Sequence, residues 1–221
     1  MTRGLFVTFE GTEGSGKSTQ MRLLAARLRE EGYDVLETAE PGGTPIGKQI
    51  RRVLLDTANQ ELSPTAELLL MFAARAQNID QWILPALSEN KIVLSDRWTD
   101  STLAFQGAAR GLGAEVVLEL DRIACRGLIP DLTLCVDIDL ETGLARARAR
   151  NSRDAGVETR LDEHPAEFHR KAREAYLHLA GDEPGRIRMI DGGRDPKAVA
   201  AEIWKEVEPL LIARSASLRR F

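Results

Sequence analysis

Residues Gly11-Thr12-Glu13-Gly14-Ser15-Gly16-Lys17-Ser18 combine three glycines, a lysine and a hydroxyl at a spacing suited to gripping a polyphosphate. Glycine takes the backbone angles that turn successive N–H groups inward, and a helix starting beyond them adds partial positive charge. The apolar run 5–9 precedes this stretch and a helix-patterned run, 19–31, follows it. Strand, loop and helix are therefore in register for a phosphate-binding loop of the form G-x-x-x-x-G-K-[ST]. A glycine-rich turn that merely precedes a helix is the competing explanation, and it accounts for neither the Lys-Ser pair nor the preceding strand. In such a loop Lys17 reaches the β- and γ-phosphates, Ser18 ligates Mg²⁺, and residues Gly11 through Thr19 cradle a nucleoside triphosphate.

A second constellation, Asp96-Arg97-Trp98-Thr99-Asp100-Ser101-Thr102, closes the apolar run 92–95. Asp96 stands where a strand exit commonly carries a Mg²⁺-associated carboxylate. Arg97 is awkward in a core but well matched to phosphate, because its planar fork fits two oxygens at once. The alternative is an Asp–Arg surface ion pair capping a strand.

These groups need a scaffold, and the chain supplies a regular one. Strand-like runs at 5–9, 35–39, 92–95, 132–137 and 187–190 alternate with helix-patterned runs at 18–31, 46–57, 65–89, 116–126, 142–151, 166–179 and 196–212. That alternation predicts an α/β fold, a parallel sheet flanked by helices on both faces. Ligands of such sheets sit beyond the carboxyl ends of the strands. Glu10-Gly11, Glu40-Pro41-Gly42-Gly43, Asp96-Arg97 and Asp137 all fall there. The run 65–89 is expected to bend near Pro85.

With 221 residues, 43% hydrophobic and 29% charged, one domain over 1–214 and a frayed tail over 215–221 are expected. A formal net charge of −4 argues against a nucleic-acid partner held by bulk electrostatics. No apolar stretch approaches the length of a membrane span, and the first residues lack a signal peptide's apolar core, so a cytoplasmic protein is expected. Cys125 and Cys135 read as buried thiols, and His164, His169 and His178 have no triad company.

Four motifs in order make the sequence similar to the thymidylate kinase family, in its bacterial type. They are the loop 11–18, Glu40-Pro41-Gly42-Gly43-Thr44, Phe72-Ala73-Ala74-Arg75-Ala76-Gln77, and Asp96-Arg97-Trp98 through Ser101 to Gln106-Gly107. The resemblance spans residues 4 to about 176. It implies a P-loop nucleoside monophosphate kinase fold with a five-stranded parallel sheet, a homodimer, and transfer of the γ-phosphoryl group of ATP to dTMP. An acceptor site around 40–107 and a lid around 146–163 follow from it.

Position by position, the resemblance makes Glu13 a carboxylate facing the acceptor's 3′-hydroxyl and metal-bound water. Phe72 becomes the ring on which thymine stacks, Arg75 a donor to a thymine carbonyl, and Arg97 the holder of the acceptor phosphate. Ser101 and Thr102 lie near the base and Gln106 beside the sugar. Phe105 stands where the family usually has Tyr, Ala39 where it has Arg, Lys48 where an acid is common and Asn78 where His is frequent. Phe72 as ordinary core is the competing reading. Arg146, Arg150 and Arg153 share one helical stripe, with Arg148 opposite; the bland account is a solvated basic face. The resemblance gives the lid arginines a catalytic role, with Arg150 and Arg153 foremost and Arg160 in reserve. Another P-loop nucleoside monophosphate or deoxynucleoside kinase is the runner-up. A nucleotide switch is disfavoured, because Asn90-Lys91-Ile92-Val93 lacks the Asp of a guanine reader.

Overall fold

Leu5, Val7 and Phe9 of strand β1 (Leu5–Glu10) turn to one face of a sheet and Phe6 to the other, the period-two alternation that a doubly covered strand requires. In the computed structural model, which describes residues 3–154, 160–161 and 163–218 (without the side chains of 150, 152–154 and 216–218), this strand lies at the centre of a five-stranded sheet. Its neighbours are β2 (Val35–Ala39), β3 (Ile92–Asp96), β4 (Leu132–Asp137) and β5 (Ile187–Asp191), in the order β2-β3-β1-β4-β5, all parallel.

Helix α1 (Lys17–Glu30) buries Met21, Leu24, Ala25 and Leu28 with Val7, Phe9 and Leu134 of the sheet. Ile203 and Val207 of the last helix join the same cluster. On the opposite face α2 (Pro45–Leu55), α3 (Pro64–Asn78) and α4 (Leu84–Ser88) precede β3. Thr44 and Ser63 cap α2 and α3 by accepting from the amides of Gly47 and Ala66, and a proline occupies the first turn of each. Trp98, Phe6, Phe72 and Ile79 form the centre of that second cluster, with Phe6 and Trp98 edge to face at 5.0 Å.

The expected bend within 65–89 falls earlier than Pro85. The α-helix ends at Asn78, and a wider π-type turn, Ile79–Ile83, links it to α4. A further helical stretch follows β3: α5 (Thr99–Thr102) continues through π-type turns over Leu103–Ala109. It was absent from the sequence reading, because its Ser, Thr and Gly residues carry no apolar period. Helices α6 (Ala114–Cys125), α7 (Leu140–Asp154), α8 (Ala166–Asp182) and α9 (Pro196–Leu218) complete the fold. Residues 215–218, expected to fray, continue α9; 219–221 lie outside the described residues. Among the described residues no helix is long and apolar enough to cross a membrane. Cys125 and Cys135 are free and buried.

Candidate active site

The loop between β1 and α1 is built on backbone. Gly11, Gly14 and Gly16 have φ of 127°, 70° and 100°. No side chain caps α1, and its first turn carries no acid, so its N-terminal amides remain available to an anion. At Gly14 a Cβ would lie 2.1 Å from the Gly143 carbonyl oxygen, and at Gly143 one would lie 2.7 Å from the Glu13 carbonyl. Loop and α7 therefore touch backbone to backbone. Lys17 Nζ donates to the Thr12 carbonyl at 2.8 Å. Burial and the neighbouring Arg97 charge lower its pKa to about 8, against the opposing pull of Asp96, Glu13 and Glu10. Ser18 Oγ donates to Asp96 Oδ2 at 2.5 Å, which joins the loop to the exit of β3.

Two clefts meet on this loop. One, of about 420 Å³, runs over Ser15, Gly16 and Thr19 toward Arg146, Gly192 and Arg194. The other, of about 490 Å³, is lined by Glu13, Glu40, Arg75, Arg97, Ser101, Thr102, Phe105 and Gln106, with Asn151 and Leu161 at its edge. Gly14, Lys17 and Ser18 line both.

Arg97 leads the second cleft. It has φ 75°, a conformation that costs a non-glycine residue about 1–3 kcal/mol. Its own amide bonds to the Phe9 carbonyl at 2.9 Å, and the next amide, Trp98 N, donates to Glu10 Oε1 at 2.7 Å. The kink turns the guanidinium back over the loop. There it donates to Glu13 Oε1 (2.8 Å), Ser101 Oγ (3.0 Å), the Gly11 carbonyl (3.2 Å) and Tyr176 Oη (3.3 Å), and lies 5.0 Å from the Phe105 ring centre. Burial raises the Glu13 carboxyl, but Arg97, a His169 hydrogen bond and Lys17 outweigh it and bring the pKa down to about 2.

Behind Arg97 sits Glu10, fully buried, accepting from the Ser101 and Tyr176 hydroxyls as well as Trp98 N. Burial, then the Asp100 charge, pushes its pKa up to about 7, against the pull of Ser101, Arg97 and Trp98. Glu10 thus holds the turn at Arg97 in place rather than lining either cleft. Asp137, the other strand exit expected at the site, pairs with Arg173 at 2.7 and 2.8 Å instead.

Arg75 is 2% exposed and donates to Thr102 Oγ1 (2.9 Å), the Trp98 carbonyl (3.2 Å) and Thr99 Oγ1 (3.3 Å), with Nε unpartnered among the described residues. Phe72 is not among the residues lining either cleft. Its ring packs with Phe6, Ile79 and Trp98 and supports Arg75 from the core side, at 4.8 Å. Met71 of the same helix lines the cleft with Arg75, beside Leu55. Glu40 is buried, with Oε1 accepting from Asn78 Nδ2 at 2.5 Å and Oε2 unpartnered among the described residues. Burial lifts its pKa to about 7 despite Arg75 and Asn78.

Gln106 donates to Glu67 Oε1 at 2.9 Å. The same buried carboxylate receives Arg110 (2.7 Å) and Arg160 (2.6 Å). Burial alone would raise the Glu67 pKa, but hydrogen bonds from Arg110, Gln106 and Arg160 lower it. Arg160 also donates from Nε to the Leu54 carbonyl at 2.6 Å. It fastens its segment to α2 and α3. Arg146 lines the first cleft, 3.4 Å from the Gly192 carbonyl. Arg150 and Arg153 fall on α7, and their side chains lie outside the described residues.

A parallel β2-β3-β1-β4-β5 sheet with a phosphate loop after the central strand, and a second anion-suited cleft beside it, define a P-loop kinase of small phosphorylated acceptors. Comparison with known proteins narrows the class. The thymidylate kinase family model matches residues 9–203. The chain is 50% identical over 206 residues to the thymidylate kinase of Thermomicrobium roseum, covering 93% of this chain and 95% of that protein. It is 48% identical over 205 residues to that of Pelobacter propionicus, covering 92% and 94%. The crystal structure of thymidylate kinase from Ehrlichia chaffeensis superposes with a TM-score of 0.75 at 31% identity, over 93% of this chain and 98% of that one. The chain belongs to the thymidylate kinase family.

Proposed function

We infer that this protein transfers the γ-phosphoryl group of ATP to dTMP, giving ADP and dTDP. The observation that carries this reading is the meeting of two clefts on Gly14, Lys17 and Ser18, which sets donor and acceptor phosphates end to end. The donor's phosphates lie on the loop amides and on Lys17, whose depressed pKa is restored by the anion it binds. Magnesium suits this site: the adjacent Ser18 hydroxyl and Asp96 carboxylate are hard oxygen donors that leave room for phosphate oxygens and water. When bound, the metal neutralises phosphate charge during transfer.

No general base is needed. The second pKa of a phosphate monoester is near ~6, so the attacking oxygen is already largely ionised at neutral pH. The obstacle is repulsion between two polyanions, and Lys17, Arg97 and the arginines of α7 answer it. Arg97 grips the acceptor phosphate, and Glu13 faces the sugar 3′-hydroxyl. Met71 and Phe105 wall the base and sugar, and Arg75 with Thr102 reads the base. Closure of the segment bearing Asn151 and Leu161 keeps water from taking the phosphoryl group.

The protein works as a homodimer in the cytosol. Exposed Leu69 on α3 and Val116 and Ile123 on α6 suit a self-pairing face, and the free thiols suit a reducing compartment. An acceptor panel with Mg²⁺-ATP tests the function: dTMP is preferred over dUMP, dCMP and thymidine. Faster turnover of another monophosphate would give the acceptor cleft a different occupant.

A further inference from the structure

Helix α8 presents two polar groups to the site from one stripe, seven residues apart. Tyr176 backs Arg97, Ser101 and Glu10. His169, fully buried, meets the phosphate loop itself: Nδ1 lies 3.2 Å from Glu13 Oε2, while Nε2 has no partner among the described residues. Glu13 is ionised, with its pKa at about 2, so the proton of this contact resides on Nδ1. The ring is held by the edge-to-face Phe168, at 5.5 Å.

The two oxygens of Glu13 are therefore divided. Oε1 takes Arg97 at 2.8 Å and Oε2 takes His169. A carboxylate released from His169 could turn both oxygens to the Arg97 fork, the strong bidentate arrangement. It would then compete with an acceptor phosphate for the same guanidinium.

We propose that His169 is a positioning residue: by occupying Glu13 Oε2 it limits Glu13 to a single contact with Arg97 and leaves that arginine available to the acceptor phosphate. This rests on the reading of Glu13 and Arg97 as acceptor-side groups. His169 touches neither the donor cleft nor the acceptor cleft directly, so its influence passes through Glu13.

The test is a double-mutant cycle with steady-state kinetics. His169→Leu, which matches the apolar surroundings, raises KM for dTMP roughly tenfold or more, the usual effect of losing a hydrogen bond to a charged group, and leaves KM for ATP unchanged. His169→Asn, which returns a donor near the Nδ1 position, restores most of the loss. In a Glu13→Ala background, His169→Leu has no further effect. Thermal melts of each variant separate misfolding from mispositioning. Equal losses for Leu and Asn, a matching rise in KM for ATP, or a full His169→Leu effect without Glu13 would each overturn the proposal. If Glu13→Ala alone is silent, the role given to Glu13 fails and the proposal with it. Absence of dTMP phosphorylation in the unmodified protein would instead defeat the functional reading.

Discussion

The donor loop and the acceptor cleft share Lys17 and are built in opposite ways. The donor side is backbone: consecutive residues, three positive-φ glycines and an uncapped helix start. The acceptor side is lined by side chains gathered from the phosphate loop, β2 and its exit, α2, α3, and β3 with the stretch after it, several of them charged and buried, and is backed by Glu10 of β1 and Tyr176 of α8. A polyphosphate offers any nucleotide kinase the same row of oxygens, so a fixed run of amides serves. An acceptor must be told apart from its relatives, and that needs a pocket assembled from distant parts of the chain. The price is buried charge, which must be paired or protonated.

Substitutions can pull these two designs apart. Lys17→Ala should have the largest effect, lowering kcat roughly 10³-fold in single-turnover assays with the melting temperature little changed. Turnover near that of the unmodified protein would refute the loop assignment. Arg97→Ala should come next, at about 10²-fold in kcat/KM for dTMP, with KM for ATP nearly unmoved. Equal damage to both substrates would mean that the two clefts do not divide the work.

Adjacent residues on α3 sharpen the contrast. Phe72→Ala should cost about 3–5 kcal/mol of stability in urea titration, whereas Met71→Ala should raise KM for dTMP several-fold. The reverse pattern would return the thymine platform to Phe72.

The smallest effect concerns pH. Glu10 has a folded-state pKa of about 7 against a reference of 4.5, so the native state keeps a proton that the unfolded chain has already released between those values. Its contribution to stability is present below about pH 4.5 and is lost as pH rises toward 7. Glu13 runs the other way, contributing above about pH 4.5 and losing that contribution as pH falls toward 2. In the window between 4.5 and 7, Glu10→Gln should flatten the decline by up to ~1.4 kcal/mol per pH unit, measured by chemical denaturation. An unchanged slope would mean that Glu10 is ionised throughout.

The same division explains what could be read beforehand. The phosphate loop is local, so eight consecutive residues announced it, and the alternating runs located all five strands. Phe72 packs in the core while Met71 lines the cleft, and the reason the sequence does not separate them is geometric. Residues three and four before Arg75 lie about 60° and 40° to either side of it, so periodicity places both Phe72 and Met71 beside that arginine. It does not say which flank faces the core. Tyr176, His169 and Glu67 left no local trace, and Glu10, marked only as a strand exit, gave no sign that it would turn inward behind Arg97. Each acts across 39 to 166 residues of chain, and only the sheet order brings them together. Histidine without visible company was discounted, yet His169 found its partner in the best-marked segment of the sequence.

One contact carries a mechanical consequence. Because Gly14 and Gly143 let main chain rest on main chain, the arm that carries the α7 arginines has its fulcrum on the nucleotide's own cradle. A single methyl group wedged there would tilt the arm and distort the cradle together. Any displacement of α7 is therefore felt by the phosphate loop directly, with no relay between them.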